Sequence, residues 1–558
     1  MFVRSKTSRG HQYLQIVENY REEGRTRQRV ISTLGRLDRL QESGQLDALL
    51  RSAVRFSTKV ALLEAYDAGN FPEAQTTRIG PALVFGRLWR EAGIQAVLRH
   101  LLADRKFGFN VERAIFLTVL HRLFSPGSDR AGEAWRQPYA IAGTEGLDLH
   151  QMYRAMGWLG SPLGEAQQAG RTPFAERCTK DRVEEELFAV RRDLFTTLDL
   201  VFFDTTSIYF EGEGGETVGQ YGNSKDHRPD RKQMVVGVIL DDEGRPICCE
   251  LWPGNTTDVK TLIPIVDRLR ERFRIGSICI VADRGMVSQE TIAELEGEER
   301  NWEYILGARM RKQKEVREEV LSRGGRYQTV HPKGRRAKDP SPLKVKEVRV
   351  KGRRYVVCLN EDEAKKDAAD REAIVANLLD KLKQGATALV GNKGYRKYLS
   401  SEGRGFRVDE TKIAADARFD GKWVLRTNTD LSAKDVALKY KQLWMVEQIF
   451  RTMKSLLCTR PIFHKCDETI RGHVFCSFLA LVLRAELQRR LEAKGWCLEW
   501  DDVIRDVDQL EEIELESNGK PFLLRNAAKG CCGKVFQAVG VALPPTIREK
   551  EVKEPLIA

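Results

Sequence analysis

Leu200-Val-Phe-Phe-Asp-Thr-Thr-Ser-Ile-Tyr-Phe210 decides how this chain is read. Aromatic and β-branched residues fill it, as they fill strands packed on both faces. Asp204 interrupts the run. A carboxylate buried there without a partner costs several kcal/mol, so the position calls for a metal ion or a structural cation. The grammar repeats downstream. Met234-Val-Val-Gly-Val-Ile-Leu240 is a second strand, Asp241–Arg245 a turn, and Pro246-Ile-Cys-Cys-Glu-Leu-Trp252 a third strand, which together form an antiparallel meander. Pro253-Gly-Asn-Thr-Thr-Asp258 turns into a helix that reaches about Phe273, with Thr257 or Asp258 as its cap. Ser277–Ala282 reads as a buried fourth strand, followed by a helix from about Ser288 and a fifth strand at Tyr304–Gly307.

The order β-β-β-α-β-α-β is that of a ribonuclease-H-like fold, α/β in class, which needs one more helix to close. Residues 310–430 intervene as a β-rich insertion, with strand candidates at Lys344–Val350, Tyr355–Leu359 and Trp423–Arg426 and a helix at about Glu363–Leu382. Ser432, with Asp435 in the manner of a capping box, opens the closing helix, which is expected to run to about Leu457. The domain plan is then a small basic N-terminal module at 1–77, a helical and candidate DNA-binding domain at 78–198, a ribonuclease-H-like core at 199–309 and 431–480, the basic insertion at 310–430, and a C-terminal helical region at 481–558.

Asp283 closes the fourth strand, at a strand end where α/β proteins often place sites. The first and fourth strands are neighbours in this order, so Asp204 and Asp283 should meet. A third carboxylate must come from the closing helix. Tyr440, Glu447 and Lys454 are spaced by seven, which falls about 20° short of two turns and places them on one face. Trp444 and Arg451 share that face. Leu443, Val446, Phe450, Met453 and Leu457 form a separate apolar stripe. A solvated polar face with Glu447–Arg451 as a local ion pair is the competing reading. Clustered carboxylates are hard oxygen ligands suited to Mg²⁺ or Mn²⁺, and two such ions serve in-line displacement at phosphorus.

These residues resemble the DDE transposases of bacterial insertion sequences. The resemblance rests on Asp204-Thr-Thr-Ser, on Val281-Ala-Asp-Arg-Gly-Met286, on Tyr440…Glu447…Lys454, and on Pro253–Asp258 and Arg460-Pro-Ile-Phe-His464. It is nearest to the superfamily with the Y-x2-R-x3-E-x6-K signature, although Leu443 stands at the arginine position. The resemblance implies a catalytic, metal-binding triad of Asp204, Asp283 and Glu447 with two ions, Mg²⁺ or Mn²⁺. It implies that Tyr440 and Lys454 contact the DNA end; Arg451 is the residue we expect to replace the missing arginine. The partners implied are double-stranded DNA, as terminal repeats and as target, and a second copy of the chain in a homodimeric synaptic complex. A catalytically silent DNA-binding descendant and a ribonuclease-H-like nuclease without strand transfer are the alternatives.

Charge and composition agree with this. The chain has 558 residues, 42% hydrophobic and 31% charged, and a net charge of +12. Leu306–Val356 holds 17 Lys/Arg against 5 Asp/Glu, an excess equal to that of the whole chain. Contact between this segment and DNA phosphates is expected, with Arg335, Arg336, Arg353 and Arg354 as contacts. No apolar stretch approaches the roughly 20 residues that span a bilayer, so no membrane partner is expected and the protein is read as cytoplasmic and nucleoid-associated. Eleven cysteines read as reduced thiols. Cys458, His464, Cys466, His473 and Cys476 form a zinc-like cluster but lack a C-x-x-C frame, so free thiols are favoured.

Overall fold

The computed structural model describes residues 2–22, 25–54, 75–169, 171, 175–191, 200–273, 279–297, 302–332, 341–384, 397–402, 405–517 and 520–550. The chain divides into two compact units. The first comprises Met1–Gly80, Asp508–Gly533 and Ala542–Ala558. In it, Phe2–Ser8, His11–Glu22 and Arg25–Arg36 form a three-stranded antiparallel sheet. A second sheet has the order Ile547–Glu549, Lys520–Arg525, Glu511–Ser517, Gln75–Arg78. The expected C-terminal helical region, 481–558, thus also contains strands. Glu-Glu-Ile-Glu-Leu-Glu-Ser alternates polar and apolar side chains, and Ile513 and Leu515 pack on Phe522 and Leu524. Alternation of period two is a strand pattern.

The second unit, Pro81–Val507 with Lys534–Val541, holds a helical layer and one nine-stranded sheet. We number the sheet strands in chain order: β1 Leu200–Tyr209, β2 Gln233–Leu240, β3 Pro246–Pro253, β4 Cys279–Ala282, β5 Glu303–Gly307, β6 Gln328–His331, β7 Leu343–Val350, β8 Arg353–Leu359 and β9 Lys422–Thr427. Their order is β6-β7-β8-β9-β5-β4-β1-β2-β3. The β1/β4 and β4/β5 pairs are parallel and the rest antiparallel. β6 to β9, from within 310–430, therefore extend the same sheet, stitched on by β9 against β5, while Leu399–Glu402 and Gly405–Val408 pair as a separate two-stranded sheet.

The helices used below are α1 Val111–Phe124, α2 Asp129–Trp135, α3 Leu149–Gly160, α4 Thr179–Arg191, α5 Leu262–Phe273, α6 Gln289–Leu295, α7 Glu361–Lys383, α8 Ala433–Lys441, α9 Trp444–Arg451 and α10 Asp467–Glu492. Val201 and Phe203 of β1 and Ile280 and Ala282 of β4 join one buried cluster with Leu262, Ile265 and Leu269 of α5 and Ile292 and Leu295 of α6. Side chains alternate along a strand, so Asp204 and Asp283 are sent to the opposite face. α8 packs on β4 and β5, and α9 packs on β1 and β2. α10 crosses α1 and α3 closely: a Cβ on Gly160 would lie 2.0 Å from the Glu468 carbonyl oxygen, and one on Gly472 2.0 Å from that of Met156. Only glycine fits at both points.

The closing helix is not the single rod the sequence suggested. α8 ends at Lys441, Gln442 and Leu443 make a turn, α9 follows, and Thr452–Leu456 is a π-helical turn. Its start is as expected, with Ser432 accepting from the Asp435 amide at 3.1 Å. Among the described residues no helix is long and apolar enough to cross a membrane.

One edge of the sheet is sealed by charge. On β3, the Cys249 amide donates to Glu184 Oε1 (2.9 Å) and the Cys249 carbonyl accepts from Lys180 Nζ (2.7 Å). These α4 side chains belong to a buried network in which Arg268 and Arg272 of α5 bind Asp181, Glu184 and Glu250 at 2.6–3.1 Å. Backbone groups of an edge strand are thereby occupied.

Candidate active site

The parallel β1/β4 ladder places the two aspartates. Its last registered pair is Phe203 with Ala282, and Asp204 and Asp283 are the next residues on each strand. Burial lifts the Asp204 carboxyl to about 6; Lys225 and the Thr205 amide oppose this, while Asp283 and Asp258 push it further up. A buried acid facing two more acids is short of positive charge, and a cation reverses that balance. Hard oxygen donors on adjoining strands, one within β1 and one just past the end of β4, fit a divalent ion of the Mg²⁺ kind.

Asp283 is held by a second contact. Tyr440, at the end of α8, donates from its phenol to Asp283 Oδ1 at 2.8 Å. Burial and the Asp283 charge raise the Tyr440 phenol well above its ordinary value, so it stays a donor. The approach depends on Gly307, where a Cβ would lie 2.5 Å from the Tyr440 hydroxyl. Tyr440, expected on DNA, is therefore committed to a carboxylate.

Glu447 has not been drawn into a closed set with the aspartates. Its carboxylate is exposed on α9, and the three carboxylates do not bring ligand atoms within 4.8 Å of one another as a set. It lines an open groove of about 490 Å³ with Trp444, Gln448, Arg451, Thr452 and Arg484. The Glu447–Arg451 ion pair weighed from the sequence is not formed. Lys454, expected beside Glu447 on the same face, is instead directed to Asp226 at 2.7 Å, where Arg460 also binds at 2.7 Å. The turn at 442–443 and the π-turn at 452–456 break the seven-residue spacing on which that expectation stood.

Lys225 and Asp226 went unread in the sequence. Lys225 donates to the Thr205 carbonyl (2.7 Å) and pairs with Asp258 (3.1 Å), which also accepts from Thr205 Oγ1 (2.7 Å). Asp226 joins the loop to Lys454 and Arg460. Tyr221-Gly-Asn-Ser-Lys-Asp-His-Arg-Pro-Asp230, polar and turn-rich between two apolar strands, is the signal that marks this loop.

Of the expected phosphate contacts, Arg335 and Arg336 lie outside the described residues. Arg353 pairs with Glu315 at 2.8 Å. Arg354 is partly buried, bound to Glu347 and to the Thr429 and Leu431 carbonyls. None of the eleven cysteines is in a disulfide. The zinc-like cluster resolves into Asp129, His464 and His473 without cysteine. Arg122 Nη2 lies 2.9 Å from His473 Nδ1, so a cation already fills the place a metal would take.

Residues 196–483 match the model of the transposase DDE domain, just over half of the chain, so the protein belongs to the DDE transposases, a metal-dependent enzyme family. Residues 2–65 match the IS1634 family transposase N-terminal domain, which makes it an insertion-sequence transposase. No curated protein matches it. Among solved structures, a piggyBac transposase synaptic complex with hairpin DNA is similar over 77% of this chain and 79% of that one, at 10% identity and a TM-score of 0.36.

Proposed function

We propose that this transposase cuts DNA at the ends of its own insertion sequence and joins the freed 3′ ends to target DNA, with Asp204, Asp283 and Glu447 as its catalytic and metal-binding triad. The observation that carries the assignment is the β1/β4 register, which leaves Asp204 and Asp283 side by side and short of cations. β1 to β5 with the helices on their two faces are read as a ribonuclease-H-like core. The two ions, Mg²⁺ or Mn²⁺, would be held by these three residues and would stabilise charge on the attacking and leaving oxygens. Tyr440 fixes the Asp283 carboxylate by occupying Oδ1, leaving Oδ2 for ligation. Glu447 enters from α9, across the groove in which Arg451 holds a terminal phosphate with its planar guanidinium. Water breaks the phosphodiester at each end and frees a 3′ hydroxyl. That hydroxyl then attacks a target phosphodiester and displaces a target 3′ oxygen, so bonds made and broken balance. The helical segment 78–198 and the N-terminal module contribute DNA binding, and two copies bring the two element ends together.

The test uses the full chain with the element end taken from the DNA flanking its gene. Mg²⁺ or Mn²⁺ should support cleavage and strand transfer, and excess chelator should stop both. Asp204→Asn, Asp283→Asn and Glu447→Gln should each lower cleavage to background while end binding persists. Cutting without joining of precut ends would make it a nuclease. End binding without cutting in the parent would make it a silent descendant. A folded Asp204→Asn variant that still cuts would remove the triad assignment.

A further inference from the structure

Beside Asp283 lies a feature that the triad leaves unused. After β5 the chain turns through Ala308–Lys312, and Arg309 reaches back to the turn that follows β4. It donates from Nε to the Arg284 carbonyl and from Nη2 to the Gly285 carbonyl, both at 2.9 Å. Between the two turns is a cavity of about 260 Å³ lined by Arg284, Gly285, Arg309, Met310, Arg311 and Lys312. A Cβ on Gly285 would lie 3.9 Å from Asp283 Oδ2, so the cavity adjoins the oxygen that Tyr440 leaves free.

Four cations line this space and no acid does. Elsewhere on the same basic segment Lys344, Arg349, Lys351, Arg353 and Arg354 each pair with a glutamate. In the cavity, Arg311 has Asp416 at 3.1 Å, but Arg284 and Lys312 are exposed and form no ion pair among the described residues. Like charges gathered around a pocket repel unless an anion joins them. The anion that a strand-cutting enzyme presents next to its carboxylates is a phosphate of its substrate.

We propose that Arg284 and Lys312, on a turn braced by Arg309, bind a phosphate of the DNA strand adjacent to the bond being cut. This rests on the transposase reading and adds a positioning site to it. A phosphate fixed next to the reacting one sets the register of the strand over Asp204 and Asp283. Arg284 supplies a planar donor fork and Lys312 a mobile point charge.

The test is the double variant Arg284→Gln/Lys312→Gln, with Arg309 left in place so that the turn keeps its brace. Binding to a random-sequence duplex is measured against salt concentration. Loss of one phosphate contact should reduce the slope of log K against log salt by about 1. Arg349→Gln, an equal change per residue three strands from β5, should leave more of the slope intact. Single methylphosphonates are then placed at successive positions flanking the cut site of the element end. One of them should weaken the parent about tenfold and cost the double variant almost nothing more, because the contact is already gone. An unchanged slope, or methylphosphonate effects equal in parent and double variant, overturns the proposal. If the parent cuts the element end and the slope is unchanged, this site falls and the transposase reading stands. If the slope drops but no metal cofactor restores cutting, the site stands and the reading falls.

Discussion

Two clusters of acids lie in the same unit and have opposite electrostatic designs. At the β3 edge, Asp181, Glu184 and Glu250 face Lys180, Arg268 and Arg272, all but removed from solvent. Where the β1/β4 ladder ends, Asp204, Asp283 and Asp258 have Lys225 among them. The first set is balanced in charge: Lys180 and Arg272 hold their protons more tightly than usual and Asp181 is pushed far down as a carboxylate, while burial pushes Glu184 up against the pull of Lys180 and Arg272. The second is incomplete, and its buried member is pushed up to about 6. Equal numbers of acids and bases make a structural joint; a deficit of bases makes a place for something that the chain does not carry. Glu184, Cys248 and Glu250 also present ligand atoms within 4.8 Å of one another, yet Arg272 binds both glutamates and leaves no deficit for a metal to fill.

Unbalancing the charge-balanced cluster has the largest expected effect. Arg272→Met should cost about 3–5 kcal/mol of stability in urea denaturation, because it strands buried carboxylates. Adding Glu184→Gln to it should recover part of the loss. Asp204→Asn should do the reverse of Arg272→Met and leave the metal-free protein as stable as the parent or more so at neutral pH. Equal destabilisation by Arg272→Met and Asp204→Asn would erase the distinction between the two clusters.

An intermediate case lies between α1, α2 and α10. Burial, and then Arg122, pushes His473 down to about 4, while Asp129 is held well below its usual value, against burial, by His464 and His473 and then by Arg122. A histidine whose folded value is depressed favours the fold above its unfolded value of about 6.5 and loses that contribution as pH falls towards 4. The expected loss is about 3 kcal/mol across that window. His473→Asn should flatten the acid limb of a plot of melting temperature against pH. A limb of unchanged steepness would place the acid sensitivity elsewhere, with His121, also pushed down to about 4 by burial, as the first alternative.

The smallest effect concerns how the incomplete cluster is oriented. Tyr440→Phe removes one hydrogen bond to Asp283 and should lower metal affinity and cleavage about 10–100-fold, with end binding unchanged. If Tyr440 instead acted on DNA, end binding would fall and the metal requirement would stay put.

Much of this was legible from residues alone, for reasons that also explain the failures. The sheet strands from Leu200 to Gly307 announce themselves because long apolar runs have few other uses. The meeting of Asp204 and Asp283 follows from strand order. The closing helix was misjudged because a seven-residue repeat survives on paper across a break. Nothing in Lys441-Gln-Leu-Trp444 signals the turn there. Lys454 was given to DNA because its partner, Asp226, is 228 residues away in a loop without periodicity. The strand Glu511–Ser517 was lost for another reason: it directly follows the helix Trp500–Asp508, and its acidic residues suit a helix face as well as a strand.

The seam between β5 and β9 has a practical consequence for anyone trimming this enzyme. Residues 310–430 look removable, since they leave the core after Gly307 and return before Ser432. Yet Leu425, Arg426 and Thr427 of the returning strand are the hydrogen-bonded neighbours of Gly307, Leu306 and Ile305. A shortened protein cut at those points would present β5 as a bare, apolar border, ready to recruit the same border of another molecule into insoluble stacks. A minimal core must keep β9, or carry a substitute strand in its place.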